Sequence, residues 1–229
     1  MINILIGIIS IIGTLLIYVL SIRLHKKFNY PFTLPILVAT IILVIVLLTF
    51  DISYNTYMLG GDWVSELLGP AVVALAYPLY KERFLLKKLI MPIVCGTIAG
   101  GFVGVSTGVL LTKWAGFDSE IIFTISSKSV TTPVSMAITE SLGGITPLAA
   151  VFVMIAGISG SVLSTYLFKY TGLKHYLGKG IALGSASHAI GTATALESSE
   201  LEGSISSIAM ILSAMLISII APGLVSILL

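Results

Sequence analysis

Long apolar runs alternate with short polar interruptions along this chain, and the run lengths decide its class. Uninterrupted apolar stretches cover Ile4–Ile22, Thr33–Phe50, Leu89–Leu111, Ile145–Phe168 and Ser204–Leu229. Each is close to the ~20 residues a helix needs to cross ~30 Å of hydrocarbon. A shorter sixth run, Val64–Tyr80, contains Pro70 and Pro78. Two further segments, Phe117–Gly144 and Lys179–Gly203, are too polar for plain spans and too apolar for loops. The pattern predicts an all-α polytopic membrane protein with about six spanning helices and two opposed re-entrant or broken-helix hairpins.

Composition strengthens this reading. Apolar residues make up 57% of the chain and charged residues 10%, with a mean hydropathy of +1.11. A soluble domain carries about 25% charged residues. The first apolar run follows an uncharged Met-Ile-Asn, and no small-x-small site precedes Arg23, so it is expected to stay as a membrane helix rather than leave as a signal peptide. Cys95 is the lone cysteine and lies mid-span, and no group of residues has metal-ligand spacing. Neither a metal nor a cofactor is expected, and a net charge of +2 gives no reason to expect a nucleic-acid partner.

The cations set a topology. Ten of the twelve Lys and Arg residues fall in three groups: Arg23, Lys26, Lys27; Lys81, Arg83, Lys87, Lys88; and Lys169, Lys174, Lys179. The positive-inside bias makes these groups cytoplasmic. The loop Asp51–Trp63 has no Lys or Arg and carries Asp51 and Asp62, so it is expected outside. Alternation then puts both termini outside a bacterial cytoplasmic membrane. It also makes Phe117–Gly144 start and finish on one side and Lys179–Gly203 on the other. Either segment could instead be a discontinuous span, which would change the C-terminal topology.

The second half repeats itself. Lys113-Trp-Ala-Gly116 matches Lys169-Tyr-Thr-Gly172, and Ser129-Val-Thr-Thr-Pro133 matches Ser187-His-Ala-Ile-Gly191 at nearly the same offset. The expected organisation is an N-terminal helical region, 1–88, and an inverted-repeat core, 89–229. The core comprises units 89–144 and 145–203 and a final helix, 204–229. Broken helices at corresponding positions of inverted repeats mark secondary transporters that bind substrate near the midplane.

The breaks carry the candidate chemistry. A lysine at a helix centre in lipid costs roughly 2.5–3.5 kcal/mol, so Lys128 needs a compensating role. Thr131-Thr132-Pro133 reads as an N-cap followed by a proline at the helix start, and Ser187 can cap the second half-helix. Both half-helices would aim free N–H groups at the membrane centre, where they favour an anion. Ser127, Lys128, Ser129, Thr131 and Thr132 from the first break, with Ser185, Ser187, His188, Gly191 and Thr192 from the second, are the candidate site for a small carboxylate. His188, with an ordinary pKa near 6.5, is the proton-coupling candidate. Glu140 and Glu197, at the far ends of the half-helices, are gating candidates. Bland alternatives stand beside these: Lys128 snorkelling, His188 packed and neutral, and hydroxyls satisfying neighbouring helices. Gly96, Gly100, Gly104 and Gly108 form a small-residue stripe suited to close helix approach, within the chain or between copies in a homo-oligomer.

At these same residues the chain resembles the LrgB/CidB family of bacterial membrane proteins, on its CidB side. The resemblance runs through Ile52-Ser-Tyr-Asn-Thr-Tyr-Met-Leu-Gly-Gly61, Pro70-Ala-Val-Val-Ala-Leu-Ala-Tyr-Pro-Leu-Tyr-Lys81, Lys128-Ser-Val-Thr-Thr-Pro133 and Gly184-Ser-Ala-Ser-His-Ala-Ile-Gly-Thr-Ala-Thr-Ala-Leu-Glu197. Relatives often carry a proline before the first cation, where this chain has Ser127. The resemblance implies a small LrgA/CidA-type membrane partner. It also implies either holin/antiholin-like control of murein hydrolase activity and programmed lysis, or transport of monocarboxylates such as pyruvate and glycolate. Two costly polar breaks in register favour the transporter, proton-coupled through His188, with the holin-like modulator as the alternative. An enzyme is not expected: Ser187 and His188 are adjacent, so their side chains diverge and make a poor nucleophile–base pair.

Overall fold

A computed structural model of the chain describes residues 2–28, 30, 33, 35–67, 70, 73, 76–81 and 83–229. Every regular element among them is helical. The chain forms two compact units, residues 1–71 and 72–229.

In the first unit, α1 (Ile2–Phe28) packs against α2 (Pro35–Thr49) and α3 (Tyr54–Ser65). Pro35, whose ring pre-sets helical φ, opens α2. At 15 residues, α2 is shorter than the run expected from Thr33 to Phe50. Much of the stretch expected as an external loop, Asp51–Trp63, is instead helical. Ser53 starts α3, its hydroxyl accepting from the Thr56 N–H at 3.2 Å. α3 then runs antiparallel to α1, with Gly60 against the Gly7 backbone and the Tyr57 hydroxyl 3.0 Å from Thr14 Oγ1. The missing Cβ atoms let these two backbones meet. The expected sixth run, Val64–Tyr80, falls partly outside the described residues; helix α4 (Ala76–Lys81) lies at its far end.

The second unit is built on three long helices: α5 (Arg83–Trp114), α8 (Thr146–Thr171) and α10 (Glu200–Leu228). With α1, these are the four helices among the described residues long and apolar enough to cross a membrane. α5 bends at Leu89 (φ −118°, ψ 19°), one turn before Pro92, whose missing N–H cannot close onto the Lys88 carbonyl. α10 begins four residues before the expected Ser204. Ser199 caps it, accepting from the Glu202 N–H at 3.1 Å, in a Ser-x-x-Glu start.

Two hairpins fill the space between the long helices. The first consists of α6 (Ser119–Ser126) and α7 (Thr132–Leu142), joined by the break 127–131. Ser127 at its tip lies 2.8 Å from Ser135 Oγ and 3.3 Å from Thr139 Oγ1. At its base the Ile145 N–H donates to Thr124 Oγ1 at 2.8 Å. The second is α9 (Tyr176–Ser198), continuous in sequence but broken at His188 (φ 42°, ψ −131°). Its return leg folds back on its inbound leg: a Cβ on Gly191 would meet the Leu183 carbonyl oxygen at 2.5 Å. At the base the inbound leg is tied to the first turn of α10, where Lys179 Nζ lies 3.3 Å from Glu202 Oε1.

One apolar core joins the first hairpin to α5 and α10 through Val105, Val109, Val130, Ile138, Ile217 and Ala221. Another joins α5, α9 and α10 through Ile93, Ile205, Ile208 and Ala209, with Tyr176 and Ile181 packed against it.

Candidate functional site

The hairpins approach α5 from opposite ends, and its glycine stripe is their common floor. Ideal Cβ atoms on Gly96, Gly100, Gly104 and Gly108 would meet, respectively, Ile181 Cγ2 at 2.8 Å, Ser185 Oγ at 3.0 Å, Ser129 Oγ at 3.2 Å and Lys128 Nζ at 3.1 Å. Four positions along a helix rise by about 6 Å. Ser185 of the second hairpin and Ser129 of the first therefore sit on successive turns of one α5 face. The stripe thus works within the chain, resolving an alternative the sequence left open.

Each tip residue has a definite place. Lys128 is half-buried and donates through Nζ to the Gly104 carbonyl at 2.8 Å. No carboxylate faces it in an ion pair among the described residues. Ser127, fully buried, holds the hairpin together as described above. Ser129 is buried beside it on Gly104. Thr131 occupies the N-cap of α7 in extended backbone, with Pro133 in the first turn, but its hydroxyl makes no capping bond. Among the described residues that buried oxygen has no hydrogen-bond partner. Thr132 opens α7 half-buried.

In the second tip, Ser185 donates back to the Ile181 carbonyl at 2.7 Å. Thr192 Oγ1 lies 2.9 Å from Ser206 Oγ, tying the return leg to α10. Ser187 packs on Gly160 of α8, and Gly191 packs on the inbound leg. The imidazole of His188 is buried against Gly157, and Nε2 donates to the Val153 carbonyl at 2.9 Å. A carbonyl can only accept, so Nε2 carries a proton and Nδ1 is the position left to gain one. Glu140 and Glu197 are exposed on the return legs.

The structure therefore gathers Lys128, Ser129 and Ser185 on one face of α5, and turns His188 toward α8. Lys128 and His188 bond to different helices. Residues not singled out from sequence complete the surroundings: Ser135 and Thr139 inside the first hairpin, Ser206 beside Thr192, and buried, unpartnered hydroxyls on Ser161 and Ser213. The available signal was Gly157-Ile-Ser-Gly160, small residues three apart on α8, which seat the second tip as the α5 stripe seats the first.

His188 holds a backbone conformation that favours glycine, at a cost of about 1–3 kcal/mol for other residues. Substituting His188→Gly and His188→Ala removes the ring in both cases, but only glycine relieves the backbone. The glycine variant is expected to melt later in detergent, by about 1 kcal/mol or more of stability. Equal melting temperatures would show that the tip is not strained.

Two glycine-seated hairpins packed among long apolar helices define an all-helical protein of the membrane class. A profile of the LrgB-like family matches residues 14–227, and the chain belongs to that family. It is 46% identical to the uncharacterized protein YxaC of Bacillus subtilis over 95% of this chain and 94% of that one. It is 36% identical to the holin-like protein CidB of Staphylococcus aureus over 96% of each. It is 35% identical to YwbG of Bacillus subtilis over 96% of this chain and 98% of that one. No solved structure matches it.

Proposed function

We propose that this chain controls passage of small monocarboxylate anions across the bacterial cytoplasmic membrane, of the pyruvate and glycolate class, working with a small LrgA/CidA-type partner. The single observation that carries this reading is the meeting of two opposed hairpin tips on one glycine face, where among the described residues no carboxylate pairs with the Lys128 ammonium and the buried Thr131 hydroxyl of the same tip has no hydrogen-bond partner. Buried polar atoms normally have partners, so an unused donor in the same tip as a lysine suits an anionic guest. In this reading the two span-plus-hairpin units form an inverted repeat, and the tips are where the guest sits. Lys128, Ser129 and Thr131 provide donors, and Ser127 and Thr192 hold the hairpins in shape.

His188 is the proton carrier in this scheme. Importing one anion against a negative interior costs about 2.3 kcal/mol per 100 mV, and one accompanying proton removes that cost. Uptake into proteoliposomes is expected to be faster at about pH 5.5 than at pH 8, either side of the ordinary imidazole value. The His188→Gln variant is expected to lose the difference. Equal wild-type rates at both pH values would remove the proton from the cycle.

A second reading is favoured by the CidB relatives, which are named holin-like proteins: the modulator of murein hydrolase activity and cell lysis that the family resemblance implies. Those names speak for lysis more directly than for transport. The two readings part on one experiment, in which purified protein, with and without its partner, is reconstituted in vesicles holding a trapped dye. Saturable uptake of labelled pyruvate with the dye retained supports the carrier. Dye release without saturable uptake supports the holin-like lesion.

A further inference from the structure

A cavity of about 430 Å³ lies at the base of the second hairpin, away from both tips. Its lining includes Lys169, Lys174 and Lys179, against the single carboxylate of Glu202. That carboxylate is already engaged, 3.3 Å from Lys179 Nζ. Lys169 and Lys174 are exposed and have no carboxylate partner among the described residues. The cavity is therefore a concave patch of uncompensated positive charge with low-dielectric walls, a shape that concentrates anions.

Its floor points at the second tip. Ser164 of α8 lines the cavity, and one turn further along the same helix is Gly160, the seat of Ser187; Gly157, the seat of His188, comes next. Leu183 of the inbound leg lines the cavity, and one turn further is Ser187. Thr194 of the return leg lines it too, about one turn from the Gly191 that packs on Leu183. α8 and the two legs of α9 thus run from cavity floor toward the tip, covering the gap in five to seven residues, roughly 8–10 Å. The plug between them is the buried Leu183 with Gly191 seated on its carbonyl.

We infer that this lysine-rimmed cavity is an anion-recruiting vestibule of the second hairpin, gathering small carboxylates about two helical turns from the His188 tip. The inference rests on the carboxylate reading above for its ligand, but its geometry and charge can be tested without transport. In a Cys95→Ser background, single cysteines are placed at Leu183 and, separately, at Thr194 in the full-length protein. Each is treated with an anionic and with a cationic methanethiosulfonate reagent of similar size.

The vestibule predicts that the anionic reagent reacts faster, by about tenfold relative to the cationic one after correction for their rates with a free thiol. The preference is expected to collapse in the Lys169→Gln/Lys174→Gln double variant and to shrink in high salt. Equal corrected rates, or a preference that survives loss of both lysines, would overturn it. Thr194→Cys keeps the test decisive if Leu183→Cys fails to fold. The two ideas fail differently. Wild-type protein that takes up no pyruvate but keeps the reagent preference sinks the carboxylate reading alone. Unselective labelling in a protein that still takes up pyruvate sinks the vestibule alone.

Discussion

Gly184→Ala is expected to unseat the second hairpin and cost about 3 kcal/mol or more, the upper end of what overpacking does. A Cβ at this position would drive into the Ser206 carbonyl oxygen and come within 3.0 Å of the Met210 nitrogen. Both atoms belong to the α10 backbone, so neither can rotate away, and the two helices must separate. The separation would break the Thr192–Ser206 hydroxyl contact and loosen the Ile205–Ile208–Ala209 core. Gly13→Ala and Gly223→Ala are the controls. Nothing lies within 4 Å of the Cβ added at either, so each should melt at or above the wild-type temperature, since alanine is the better helix former by about 1 kcal/mol. Thermal unfolding in one detergent compares all three. A Gly184→Ala protein that melts with the wild type would show that α9 and α10 do not approach this closely.

Lys128→Met is expected to abolish function while leaving the fold intact. Methionine keeps most of the apolar stem that lies over Gly108 and removes only the ammonium. Replacing a buried charge by an apolar group of similar volume is often neutral or stabilising. The melting temperature should therefore hold or rise. Losing one partner of a buried charge contact costs about 2–5 kcal/mol, so uptake at low pyruvate should fall by about 100-fold or more. A purely structural lysine would give the opposite pair of results, a lower melting temperature with transport retained.

What the sequence made legible follows from which forces act locally. The long helices were visible because lipid demands unbroken apolar runs, and the hairpins because polar breaks at Ser127–Thr131 and Ser185–Gly191 cannot be hidden in such runs. The glycine stripe was visible as a periodicity, but not its purpose, since a flat helix face does not say what will lie on it. α3 was missed because Asp51 and Asp62 made its region read as a loop. The Ser53 cap and the Gly7–Gly60 contact that create the helix are a local signal and a tertiary one. The start of α10 moved for a similar reason, the Ser199–Glu202 cap. Side-chain directions were beyond the sequence altogether. Lys128 and His188 could be assigned to two breaks, but only packing turns one toward α5 and the other toward α8.

The convergence of the tips is tested most directly by cross-linking in native membranes. Ser129→Cys and Ser185→Cys, combined in the Cys95→Ser background, would stand on successive turns of the α5 glycine face. A short bifunctional thiol reagent is expected to join them within one chain, while Ser129→Cys paired with Thr165→Cys, beside the distant lysine-rimmed cavity, stays unjoined. Failure to join positions 129 and 185, when each cysteine alone reacts with a monofunctional reagent, would contradict the meeting of the two hairpins.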